Sequence, residues 1–179
     1  MILFAALPVD DKLAKDLARM SKGVPGARWR PRDNLHMTLC YFGDVTLDQA
    51  EVLDDALARN PLPPVEMTVS GAGHFGKTDI HSIWTRVLPN EQITALRKAC
   101  RQAAREAGIN LEARKYVPHI TMAYLKADAP LERIISFEER MARFTAGPQL
   151  CDQIILYSSE PKKRGANLYV PQASYPLLG

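Results

Sequence analysis

Two short runs bring together residue types that can do acid–base chemistry. "HMTL" begins at His36 and "HITM" at His119, and each places a threonine two residues after its histidine, at Thr38 and Thr121. As a strand, each run sends its His and Thr to one face, about 7 Å apart along the chain. The interleaved residues, Leu35, Met37 and Leu39 in the first run and Ile120 and Met122 in the second, point to a core. The same alternation puts Tyr41 on the core face and Cys40 beside His36 and Thr38. One His-x-Thr is as well explained by a packed histidine; the second copy, in the same frame half a chain later, is what points to function. Two such strands face to face would gather two imidazoles and two hydroxyls around one small volume, which suits a phosphate diester. A neutral imidazole takes a proton from water and an imidazolium gives one to the leaving oxygen, since histidine titrates near neutrality. The threonine hydroxyls donate to nonbridging oxygens as their charge grows. The scheme calls for no metal and no other cofactor. HExxH and clustered Cys/His spacings are missing from the chain, and His74 and His81 have no matching threonine and read as surface residues.

The elements that must position these residues follow from periodicity. A first strand spans 2–7. Asp10 caps a helix over about 11–22 that carries Leu13, Leu17 and Met20 on one face and stops at Gly23. The strand with His36 runs over 35–42. "TLDQ" is a capping box for a helix with Leu47, Ala50, Leu53 and Leu57 inward, ended by "NPLPP". Strands follow at 65–72 and 81–88. A helix over 91–107 is capped by Asn90, with Ile93, Leu96, Cys100, Ala103 and Ala107 inward and Gly108 as its stop. Next come the His119 strand over 116–125, a helix near 131–142, and strands at 151–158 and 167–173 joined by "SEPKKRG". Strands and helices mix without strict alternation, which predicts an α+β fold. Without a linker-like or low-complexity stretch, 1–179 reads as a single folding unit.

The chain has 179 residues, 46% hydrophobic and 24% charged, with a formal net charge of +3. That is an ordinary globular mix that admits an anionic ligand without requiring a nucleic-acid coat. Cys40, Cys100 and Cys151 are odd in number and scattered, which favours a reducing, cytoplasmic setting. No apolar run approaches the roughly 20 residues that span a membrane, and the apolar start "MILFAALPV" reads as a strand and not a leader.

At the paired motifs the sequence resembles the two-histidine phosphoesterase superfamily, and within it the bacterial and archaeal RNA 2′,3′-cyclic phosphodiesterases, also called the 2′-5′ RNA ligase family. The resemblance extends from "LFAAL" through "ARWRPRDNLHMTLCYFGDV", "GHFGK", "IWTRV" and "ARKYVPHITMAYL" to "LYSSEPKKRGANLYVPQASYPL". It implies a bilobal α+β fold, with two antiparallel sheets forming a central cleft about a pseudo-twofold axis and helices outside. It implies hydrolysis of RNA 2′,3′-cyclic phosphate ends, or nucleoside cyclic phosphates, to 2′-phosphomonoesters. His36 becomes the proton donor to the 3′ oxygen, His119 the proton acceptor from water, and Thr38 and Thr121 the phosphate-binding residues. Arg114 matches a basic position and Tyr116 an aromatic one, which offers substrate contacts at the phosphate or a base; Trp84 is a second stacking candidate, with core packing the alternative for both aromatics. The chain departs from the family at Tyr124, where arginine is common, and at Cys40 and Tyr41. Cys40 is read as packing. A monomer is expected.

Arg28, Arg30 and Arg32 alternate before His36, and Lys162, Lys163 and Arg164 sit in a turn. Each group reads either as an RNA-backbone contact or as a solvated edge. The alternatives to cyclic phosphate hydrolysis are 2′-5′ phosphodiester cleavage, the reverse ligation, and a nonhydrolytic RNA- or nucleotide-binding module; a binder has no need of both histidines and both threonines. No P-loop or separate RNA-binding signature is present.

Overall fold

The structure, a computed structural model, describes residues 1–59 and 62–178. The "NPLPP" helix stop includes Asn60 and Pro61, which lie outside the described residues. In chain order the elements are β1 (Ile2–Pro8), α1 (Asp11–Met20), β2 (Arg28–Trp29), a 3-10 turn (Arg32–Asn34), β3 (His36–Asp44), α2 (Leu47–Ala58), β4 (Val65–Phe75), β5 (Ser82–Val87), α3 (Glu91–Glu106), β6 (His119–Tyr124), α4 (Leu131–Met141), β7 (Thr145–Cys151), β8 (Gln153–Glu160) and β9 (Leu168–Pro176). The fold is α+β, as the element order predicts.

The strands pair in the order β7-β4-β5-β6-β3-β1-β8-β9, with β2 added to β6, and every pairing is antiparallel. The sequence reading expects two sheets. The described strands are joined into one, yet its centre is narrow: β3 and β6 meet through the single bridged pair Met37↔Ile120. The two motif strands are therefore neighbours at the middle of the sheet. Met37 and Ile120 are both fully buried, so the apolar residues between each His and Thr anchor the strands to the core. α2 and α3 pack together, with α3 against β3 and α2 against β9, while α4 covers β4 and α1 contacts β7.

Local chemistry explains the helices. The Leu13 N–H donates to Asp10 Oδ1 at 2.7 Å, and α1 ends at Met20, short of Gly23, where the Ser21 N–H turns back to Ala18 O. Thr46 and Gln49 make both bonds of the capping box. Asn90 accepts from the Ile93 N–H at 2.8 Å, and Ile93, Leu96, Cys100 and Ala103 form the buried stripe of α3. On α2, Leu53 and Leu57 are buried, but Leu47 is 71% exposed and Ala56 takes an inward place. Leu47 is the first residue of the helix, where no preceding turn holds it against the sheet. β7 has no counterpart in the sequence reading. It holds Pro148 and polar Thr145 and Gln149, a composition that argues against a strand, but it pairs only with β4 and so lies at the sheet edge, where proline is tolerated.

Candidate active site

The two motif strands carry the same irregularity. Beside β1, Ala5 pairs with Cys40 and Ala6 with Thr38, so Leu39 is skipped. Beside β5, Ile83 pairs with Ala123 and Trp84 with Thr121, so Met122 is skipped. Each strand thus has a bulge at the apolar residue following its threonine. The extra residue shifts the alternation by one. Cys40 and Ala123 turn into the core, and the next residues, Tyr41 and Tyr124, return to the side of the histidines. This corrects the strand reading for two residues: Tyr41 is 58% exposed, not core, and Cys40 is buried away from His36. Burial pushes the Cys40 thiol up to about 11, which leaves it an inert packing group.

His36, Thr38, His119 and Thr121 line one cleft of about 220 Å³ together with Phe4, Arg30, Asn34, Tyr41, Tyr124, Ser159 and Tyr169. The histidines are held alike. His36 Nδ1 lies 2.9 Å from Asn34 O, and His119 Nδ1 lies 2.6 Å from Val117 O. A carbonyl only accepts, so Nδ1–H donates in both rings and Nε2 is left as the unprotonated nitrogen of each neutral ring. Aromatic rings hold each imidazole in place. Phe4 lies 4.9 Å from His36 and Tyr169 meets it edge-on at 5.2 Å; Phe75 meets His119 edge-on at 4.9 Å, with Trp84 at 5.6 Å.

This enclosure favours neutral imidazoles. Burial, with smaller contributions from Arg30 and His119, lowers His36 to about 4 against the opposing bond to Asn34. Burial also lowers His119. For His36 the native chain stays unprotonated between about 4 and its unfolded value near 6.5 while the unfolded chain takes up a proton, so stability falls as pH drops through that window. His36→Asn is expected to lose about 1–2 kcal/mol less than wild type between pH 7 and pH 4, a discounted figure for a partly solvated ring. Urea titrations at the two pH values measure this; equal losses in the two proteins would refute it.

Trp84 carries a second consequence. It is 5% exposed, and a Cβ added at Gly73 would lie 2.5 Å from its ring. Gly73→Ala must displace the indole, which is in ring contact with His119. The expected outcome is about 1–3 kcal/mol of lost stability from overpacking and a fall in any His119-dependent turnover, checked by thermal melts alongside assays.

The other residues singled out from sequence fall elsewhere. Tyr116 is partly buried behind the motif strand, its hydroxyl donating to Thr38 O at 2.9 Å and its ring under Arg97 at 4.2 Å. Arg114 is 81% exposed and pairs with Glu112; neither it nor Tyr116 is among the cleft-lining residues. Trp84 is core. Arg32 pairs with Asp11, Arg28 is exposed, and Lys162, Lys163 and Arg164 are exposed in the β8–β9 turn. His81 is exposed, whereas His74 is partly buried with Nδ1 2.5 Å from Glu138. Among the described residues no three His, Cys, Asp or Glu side chains form a group that could hold a metal ion. From sequence, Tyr41, Tyr124 and Tyr169 were missed as cleft residues, and Arg30, offered together with Arg28 and Arg32 as an RNA-backbone contact, is the one of the three that lines the cleft. For the first two a signal existed: an aromatic stands at the same offset in both motifs, behind two consecutive small or apolar residues that break a strict alternation.

Paired imidazoles and hydroxyls on neighbouring strands of an antiparallel α+β sheet are the makings of a two-histidine phosphoesterase. The chain belongs to the 2′-5′ RNA ligase superfamily, whose family model matches residues 9–160. It is similar to an RNA 2′,3′-cyclic phosphodiesterase of Geobacillus stearothermophilus, 27% identical over 98% of this chain and 57% of that protein, so it spans a little over half of that relative's length. It is also similar to an RNA 2′,3′-cyclic phosphodiesterase of Methanothermobacter thermautotrophicus, 25% identical over 88% of this chain and 89% of that one. Its fold matches Escherichia coli LigT complexed with 3′-AMP, with a TM-score of 0.78 at 23% identity over 99% of this chain and 98% of the other. No helix among the described residues is long and apolar enough to cross a membrane.

Proposed function

We propose that the chain is a metal-independent RNA 2′,3′-cyclic phosphodiesterase that opens cyclic phosphate ends, or nucleoside cyclic phosphates, to 2′-phosphomonoesters. The observation that carries this is the matched pair of histidines in one cleft, each with Nδ1–H engaged by a carbonyl of its own chain segment and Nε2 free. His119 Nε2 takes a proton from water as the water oxygen bonds to phosphorus. The bond from phosphorus to the 3′ oxygen breaks, and His36, as imidazolium, protonates that oxygen. The 2′ ester remains. Thr38 and Thr121 donate to the nonbridging oxygens. Burial favours the neutral form of both rings, which suits the base; a bound phosphate anion draws the proton onto His36.

We read the molecule as two lobes about a pseudo-twofold axis, in support of which stand the matched bulges, the matched histidine bonds and the narrow β3–β6 junction. We read it also as a single-domain, monomeric, cytoplasmic protein, with three free buried cysteines in support of a reducing compartment. The test is turnover, in EDTA, of a panel: an oligonucleotide 2′,3′-cyclic phosphate, nucleoside 2′,3′-cyclic phosphates, a 2′-5′-linked oligonucleotide and ADP-ribose cyclic phosphate. Preferred hydrolysis of the first two is expected. Preference for the 2′-5′ linkage would move the substrate, and tight salt-sensitive RNA binding with no turnover would favour a binding module.

A further inference from the structure

The cleft holds one cationic side chain among its lining residues, Arg30, and the segment that delivers it is built for the purpose. β2 is only two residues long, yet it pairs with β6 through Arg28↔Tyr124 and Trp29↔Ala123, and the Arg30 N–H extends the ladder to Met122 O at 2.8 Å. Trp29 packs toward the core, with its ring 5.6 Å from Phe137. Alternation then turns Arg30 the opposite way, toward the motif residues. Its guanidinium lies over the Tyr124 ring, 4.9 Å from the centroid, and the Tyr169 hydroxyl interacts with both Arg30 and Tyr124. The bulge in β6 is what turns Tyr124 to this side. No carboxylate pairs with Arg30 among the described residues, whereas neighbouring Arg32 is taken up by Asp11.

An arginine stacked on one ring, beside the hydroxyl of a second and, among the described residues, unpaired with any carboxylate has its charge and N–H donors available to the cleft. Planar guanidinium and phosphate oxygens are complementary, and stacking restricts the side chain before ligand arrives, so less freedom is lost on binding. We infer that Arg30, held over Tyr124 and beside Tyr169, is a phosphate-binding residue of this cleft that supplies its fixed positive charge. The inference rests on the phosphodiester reading and names the group that meets the charge formed when water adds to phosphorus. It also gives the bulge after Thr121 a role, since without it Tyr124 would face the core and Arg30 would lack its platform.

The test compares wild type, Arg30→Gln and Arg30→Lys in two measurements. Inorganic phosphate is titrated while the His36 and His119 ring signals are followed by NMR, and kcat and KM are measured on a nucleoside 2′,3′-cyclic phosphate. Arg30→Gln is expected to weaken phosphate binding about tenfold and to lower kcat/KM about 30-fold or more, the scale of a lost charge-assisted contact. Arg30→Lys recovers part of the loss, since it keeps the charge but not the planar fork. The same spectra report the titration of His36, which faces Arg30 just after β2, His119 on β6, Tyr157 on β8 and Tyr169 on β9; Arg30→Gln moves it upward while Arg30→Lys, which keeps the charge, holds it near the wild-type value, a split between the two variants that loosened packing alone does not produce. Phosphate binding by Arg30→Gln within threefold of wild type overturns the inference. A wild-type protein that opens no cyclic phosphate instead defeats the functional reading, and the phosphate titration still decides Arg30.

Discussion

Replacing either His36 or His119 with alanine is expected to lower kcat on a 2′,3′-cyclic phosphate by about 10²–10⁴-fold, the span for loss of a positioned proton donor or acceptor. The effect is this large because nothing in the cleft substitutes. Asn34 and Ser159, which also line it, are not acids or bases near neutrality, and burial pushes Tyr169 upward. The double variant falls little further than either single one, because the two groups act on one displacement and not additively. The pH profiles separate their roles. Both histidines are shifted downward in the free protein, so the bell in kcat/KM lies on the acid side of 7, while kcat, which reports the complex, lies at higher pH because bound phosphate favours the imidazolium. A kcat/KM optimum well above 7 would contradict that account.

Thr38→Val and Thr121→Val each lower kcat/KM about 10²-fold, with most of the loss in kcat, as expected for a donor aimed at charge that develops in the transition state. Valine keeps the β-branched shape and the strand preference, so the fold is undisturbed and the loss reports the hydroxyl. Steady-state kinetics alongside thermal melts check this. Unchanged kcat with raised KM would mean that the hydroxyls only bind ground-state phosphate. The two substitutions are expected to cost similar amounts, since Thr38 and Thr121 stand at equivalent offsets in strands with equivalent bulges.

The histidine and threonine pairs were legible because a repeated motif is visible without coordinates, and the strands that carry them alternate as expected up to the threonine. α3 was legible almost to the residue, since its cap, apolar stripe and terminal glycine agree. What escaped depends on partners distant in sequence. The bulges exist only relative to β1 and β5, so the return of Tyr41 and Tyr124 to the cleft could not be read from β3 and β6 alone. β7 is stabilised as a strand by β4 across the sheet edge, against its own composition. Arg28, Arg30 and Arg32 looked interchangeable in "ARWRPRDN"; Trp29 packing on one side and Asp11 capturing Arg32 separate them. Tyr116 and Arg114 stand at suggestive offsets, but the chain before β6 runs so that one lies beneath Thr38 and the other faces solvent.

The central claim is that His36 and His119 divide one hydrolysis across one cleft. Its most direct test is to incubate an oligonucleotide 2′,3′-cyclic phosphate in EDTA with wild type, His36→Ala and His119→Ala, resolving the 2′- and 3′-phosphate products. The account predicts a 2′-phosphate from wild type and almost no product from either variant; turnover in either variant at the wild-type rate would contradict it.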